Sequence, residues 1–149
     1  MKIDPRGPRF GAAITSFVLA LSLALGPTWG LIPLAWQAIV FLLGVIAPMA
    51  QPYSVIFRLL VRPRLAPPSD LEDPRPPRFA QGVGLGFAVI GLVGGAAGWP
   101  ALFYIAVGMA LIAALLNAAL DFCLGCEMYV ALLRLRGQSI ARRIPATDA

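Results

Sequence analysis

Ala101-Leu-Phe-Tyr-Ile-Ala-Val-Gly-Met-Ala110-Leu-Ile-Ala-Ala-Leu-Leu-Asn117-Ala-Ala-Leu120 carries no charge and one amide side chain, and the apolar run continues to about Phe122. Its length matches the roughly 20 residues that a helix needs to cross about 30 Å of hydrocarbon. Upstream lie three more runs of the same kind: Gln81 to Trp99, Leu31 to Met49 and Phe10 to Leu25. The 149 residues are 59% hydrophobic and 13% charged, where a soluble domain carries about 25% charged residues. A soluble globular domain, a disulfide scaffold and a nucleic-acid module are therefore excluded. The fold expected is an all-α membrane protein with four transmembrane helices.

The connectors sort the runs into two hairpins. Gly26-Pro-Thr-Trp-Gly30 and Gly98-Trp-Pro100 are tight, uncharged turns, each with a tryptophan suited to the headgroup level and a Gly or Pro that ends a helix. Between the hairpins lies a polar connector, from about Ala50 to Ala80. All twelve basic residues fall before the first run, in this connector or after the last run. The positive-inside rule then predicts a multi-pass plasma-membrane protein with both termini and the connector in the cytoplasm. A cleaved signal peptide is the rival reading of the first run, disfavoured because the motif preceding it recurs later in the chain.

That recurrence is an internal repeat. Asp4-Pro-Arg-Gly-Pro-Arg-Phe10 is echoed by Asp73-Pro-Arg-Pro-Pro-Arg-Phe79, and Ala47-Pro-Met-Ala-Gln-Pro-Tyr53 aligns with Cys123-Leu-Gly-Cys-Glu-Met-Tyr129. One integral membrane domain is expected, with repeat one at about 3–65, repeat two at about 72–136 and a disordered tail at 137–149. An even number of spans per copy relates the copies by an axis along the membrane normal. Tyr53 to Arg62 and Tyr129 to Arg136 read as short amphipathic helices lying on the cytoplasmic interface, with bends at Pro48–Pro52 and at Gly125. Arg6, Arg9, Arg75, Arg78, Arg134 and Arg136 are candidates for contact with lipid phosphates or a partner, and Arg142 and Arg143 in the tail are placed near anionic lipid. Gly82, Gly84, Gly86, Gly91, Gly94, Gly95 and Gly98 make the third span the one expected to pack most closely, inside the monomer in preference to a dimer.

Where repeat one has Phe41, Val45, Ala47, Ala50 and Gln51, repeat two has Asn117, Asp121, Cys123, Cys126 and Glu127. Ionisable groups near membrane depth are costly and by default mark function. Cys123, Cys126 and Glu127 thus form a candidate thiol site: the cysteines are close enough to bridge, and Glu127 lies four residues after Cys123, on nearly the same face. Cys126, placed nearer water, is expected to attack. Asn117 and Asp121 are supporting polar residues on another face, suited to bind a neighbouring helix. Thiol redox or sulfur relay, metal binding by the pair and buried packing thiols are the three readings; zinc needs further donors, and no metal site is assigned. A permanent structural disulfide is disfavoured by a reducing cytoplasm.

Ile3-Asp-Pro-Arg-Gly-Pro-Arg-Phe10, Pro77-Arg-Phe79 and above all Phe122-Cys-Leu-Gly-Cys-Glu-Met-Tyr129 resemble the bacterial membrane family catalogued as domain of unknown function 4395. The likeness covers roughly residues 3 to 136. It implies no established activity and no known cofactor, but it does imply traffic of thiols or sulfane sulfur with a cytoplasmic thioredoxin-like or rhodanese-like protein. No such domain lies within these residues, so this partner would be a separate chain. Two other classes of function compete: a carrier or channel for a sulfur species or soft metal ion lined by Asn117, Asp121 and the thiols, and a membrane anchor for a cytoplasmic enzyme. Whether the chain is an enzyme is left open.

Overall fold

The computed structural model describes residues 2–138 and 143–145. Its elements are α1 (Arg6–Trp29), α2 (Leu31–Ile46), α3 (Pro52–Ile56), β1 (Asp70–Glu72), α4 (Arg75–Ala96), α5 (Pro100–Leu120), α6 (Leu124–Leu135) and β2 (Arg143–Pro145). A π-helical turn at Phe57–Val61 and a 3-10 turn at Arg62–Arg64 prolong α3. The chain is thus mainly helical, as expected. Helices α1, α4 and α5 are each long and apolar enough to cross a membrane.

Helix α2 is shorter than the sequence suggests. Its apolar run continues to Met49, but the helix stops at Ile46, giving 16 residues, or about 24 Å at the usual helical rise. Pro48 is the cause: it disfavours helical backbone at the residue before it, and Ala47 sits at φ −142°, ψ 65°. In α1 the helix breaks at Gly26, whose φ of 77° suits glycine, before the single turn Pro27–Trp29.

The four long helices form a ring in which α1 packs on α5, α5 on α4, α4 on α2 and α2 on α1. Leu19, Leu34, Ala38, Phe41, Ala88, Phe103, Val107 and Ala110 fill its centre. The α4 glycines let this happen within one chain. A Cβ on Gly84 would meet the Phe41 ring at 2.8 Å, one on Gly91 would meet Val107 at 2.9 Å, and one on Gly94 would meet the Phe103 backbone at 2.8 Å. The exterior differs from that of a soluble bundle in being apolar as well, with a few polar side chains inside. Thr15, Ser16, Ser22 and Gln37 are buried, while Phe17, Ile32, Ile105, Ile112 and Leu120 lie more than half exposed. A continuous apolar exterior of this extent calls for an apolar surrounding.

At the end opposite the two short turns, the backbone is tied together. Ile3 and Glu72 exchange N–H···O bonds of 2.9 and 2.8 Å, and β1 pairs antiparallel with β2, Leu71 opposite Ile144. The tail, expected to be disordered from Gly137 onward, therefore contains a strand at Arg143–Pro145. That strand has the connector's backbone to pair with, which composition alone does not reveal. Arg142 lies outside the described residues.

Contacts of the same kind recur in the two halves. The Arg6 N–H and Nε both donate to Asp4 Oδ1 at 3.0 Å and Nη2 donates to Oδ2 at 2.9 Å. Arg75 makes the corresponding bonds to Asp73 at 2.9, 3.1 and 2.7 Å. Phe10 meets Phe57 at 5.8 Å between ring centroids, and Phe79 meets Tyr129 at 5.4 Å. An Arg9 Nη2 donates to the Ala118 carbonyl of α5 at 3.2 Å, while Arg78 Nε donates to the Val45 carbonyl of α2. The first helix of each half thereby holds the second helix of the other.

Candidate functional site at the α5–α6 break

The break between α5 and α6 places the cysteines. Asp121 takes the left-handed backbone at φ 55°, a conformation that Asp tolerates better than most residues. The N–H groups of Asp121 and Phe122 both donate to the Leu116 carbonyl, closing α5. Cys123 is then extended, at φ −84° and ψ 98°, and caps the start of α6. The bend expected at Gly125 thus lies a few residues earlier, and Cys123, not Cys126, stands at the head of the new helix.

The two sulfurs are joined, 2.14 Å apart, with the Cα atoms 5.1 Å apart. The Cys126 N–H donates to Cys123 Sγ at 3.3 Å, and the Glu127 N–H donates to the Cys123 carbonyl at 3.0 Å. Both cysteines are enclosed, Cys123 at 6% exposure and Cys126 at 1%. Cys126, expected nearer water, is the more enclosed of the two. Its side of α6 faces α4: a Cβ on Gly125 would meet Ala80 Cα at 2.7 Å, and Tyr129 one turn on meets Phe79. Gly125 therefore serves close approach of two helices.

The other residues singled out from sequence are not all gathered here. Glu127 is exposed in the first turn of α6, where a carboxylate favours the helix dipole. Asn117 is half-buried, one turn before the end of α5. Asp121 faces away toward α1, with Oδ1 4.0 Å from Arg9 Nε. Arg134 and Arg136 are exposed at the far end of α6. Arg6 and Arg75 are tied to Asp4 and Asp73. Partial burial pushes the Asp4 carboxyl up, but hydrogen bonds from the Arg6 side chain and N–H, with the charges of Arg6 and Arg62, leave it below the usual carboxylate range. Asp73 is held low chiefly by the hydrogen bond from the Arg75 side chain. Among the described residues, no group of three or more Cys, His, Asp or Glu side chains is arranged to hold a metal.

A buried polar network escaped the sequence reading. Gln37, fully buried in α2, donates from Nε2 to Thr15 Oγ1 at 3.1 Å and accepts from Tyr53 Oη at 3.0 Å, while Trp36 Nε1 donates to the same Tyr53 oxygen at 3.2 Å. A lone Gln in an uncharged apolar run was the available signal. Its partners were not legible, since Thr15 and Tyr53 come from two other segments. With its side-chain groups paired across three elements, the network reads as interhelical glue.

No curated protein and no solved structure matches the chain. One protein family does, over residues 3–134, nearly the whole sequence and including both cysteines. The chain belongs to the family described as "Domain of unknown function (DUF4395)".

Proposed function

We propose that the chain is a four-span plasma-membrane protein, two duplicated hairpins with both termini in the cytoplasm, and that Cys123 and Cys126 are a thiol-disulfide couple serving a soluble thioredoxin-like or rhodanese-like partner. The observation that carries the redox reading is the bonded pair at the head of α6, with the Cys126 N–H directed at Cys123 Sγ. Helix starts with amide donors stabilise a thiolate. Cys123 is accordingly the attacking residue, in place of Cys126. Support for the bilayer is the apolar exterior and the three long apolar helices, and support for the orientation is the basic residues gathered at the end where Ile3, Glu72 and β2 meet.

In the reduced state the Cys123 thiolate attacks one sulfur of a partner disulfide, whose S–S bond breaks and releases one partner thiolate. A mixed disulfide remains at Cys123. Cys126, giving its proton to water, attacks Cys123 Sγ and expels the second partner thiolate. The partner gains two electrons and the pair becomes the disulfide. Because both sulfurs are enclosed, α6 must move off α4 before a partner can reach them.

In Cys126→Ser the mixed disulfide has no resolving thiol, so acid-trapped cells should show a covalent adduct that Cys123→Ser lacks. Equal absence of adducts from both variants, with a pair whose redox state is unchanged by oxidant or reductant, would reject the relay. The burial of both sulfurs favours a second reading, a staple across the α5–α6 elbow. Under that reading, reductant lowers the unfolding midpoint of the purified protein and no adduct forms.

A further inference from the structure

We propose that the cleft between α4, α6 and the end of α2 binds one anionic phospholipid, its phosphate at Arg78 and its acyl chain along α4. The cleft is an open groove of about 540 Å³. It is lined by Arg75, Arg78 and Tyr129 together with Val45, Phe79, Gly82 and Val83, and its surface is mainly apolar. Arginines in the first turn of α4, with an apolar groove continuing along the same helix, match a molecule with a charged head and a hydrocarbon tail.

The opposite half of the chain supplies an internal control. Arg9 and Arg78 hold the same place in the Pro-Arg-Phe motif, and each donates to a carbonyl at the end of the facing helix. Beside Arg9 stands Asp121, whose carboxylate forms an ion pair with it. At the position aligned with Asp121 the other half has Val45, and among the described residues Arg78 forms no ion pair. Among the described residues, then, an anion is built in beside Arg9 and none beside Arg78. The space follows the charge. Gly82 and Val83 line the cleft where the first half carries the larger Ala13 and Ile14, and Tyr53, aligned with Tyr129, is 4% exposed and bonded to Gln37. Arg75 is already paired with Asp73, so Arg78 is the anchoring charge.

The inference rests on the bilayer reading, which resistance of the protein to alkaline extraction from membranes tests separately. For the site itself, purified protein in neutral detergent is titrated with phosphatidylglycerol, phosphatidylcholine, water-soluble glycerophosphoglycerol and inorganic phosphate, and bound species are counted by native mass spectrometry. One phosphatidylglycerol should be retained in preference to phosphatidylcholine. Arg78→Gln should weaken it about tenfold, the scale of one charge-assisted hydrogen bond. Gly82→Leu, which leaves every charge in place and fills the groove, should weaken it as well. A Cβ at Gly82 meets only Val45 Cγ2, at 3.8 Å, so this variant tests the site even if Arg78→Gln loosens the end of α2. Arg9→Gln should leave binding unchanged. Retention undiminished in both Arg78→Gln and Gly82→Leu would overturn the proposal. So would glycerophosphoglycerol or inorganic phosphate binding as well as the lipid, which would make the site one for a free anion.

Discussion

Asp73 and Asp4 show how little of this chain's charge is idle. Each carboxylate grips the backbone N–H and guanidinium of the arginine two residues on, fixing the start of a long helix where proline has removed other donors. Both are held below the usual carboxylate range. A depressed carboxylate contributes stability in full above its unfolded value, near pH 4, and loses that contribution as pH falls through the lower folded value. Asp73→Asn should therefore unfold at a lower temperature than the parent at pH 7, and the gap should narrow as pH falls below about 4. Unfolding midpoints in detergent between pH 7 and pH 3 measure this; a gap of the same size at both ends would show that the carboxylate charge is not the cause. At the same scale, the sequence displayed Cys123 and Cys126 plainly, but not which is more enclosed. That depends on which face of α6 meets Ala80, and only the packing of α4 determines it.

Among the elements, α6 decides whether the cysteines are reached. It is held to α4 by the Gly125–Ala80 approach, the Phe79–Tyr129 contact and the burial of Val130. Gly125→Ala puts a methyl where Ala80 Cα already stands, so α6 must shift, at a cost of about 1–3 kcal/mol typical of overpacking. The expected outcome is a lower unfolding midpoint together with faster reduction of the disulfide by a soluble phosphine. Reduction no faster than in the parent would mean that α6 does not gate the pair. The long apolar helices were legible because uncharged runs of that length have few other uses. Their ends were less so. Pro48 marked the end of α2 within three residues, whereas the end of α5 depends on Asp121 adopting a left-handed backbone, which no local pattern requires.

At the scale of the molecule, the sequence displayed the paired Pro-Arg-Phe motifs, yet the tie between Ile3 and Glu72 and the strand at Arg143–Pro145 could not be read from it. Three-residue strands have almost no signature of their own, and theirs comes from one another. Ending the chain after Gln138 removes the partner of β1 and with it a three-residue ladder, whose hydrogen bonds are each worth about 1 kcal/mol net. The unfolding midpoint should therefore barely move, while limited trypsin cleavage after Arg64 should become faster. Unaltered cleavage would show that the strand does not restrain the connector.

The Ile3–Glu72 pairing also sets an order of events during synthesis. Ile3 leaves the ribosome early, but the residue it pairs with belongs to the connector, and the next strand over is made only after all four apolar helices. The first hairpin must therefore wait with its leading residues unpaired until the connector emerges. Of the pairings at that end, β1 with β2 closes last, after the tie between Ile3 and Glu72, so a chain stalled before Arg143 holds its connector strand from one side only.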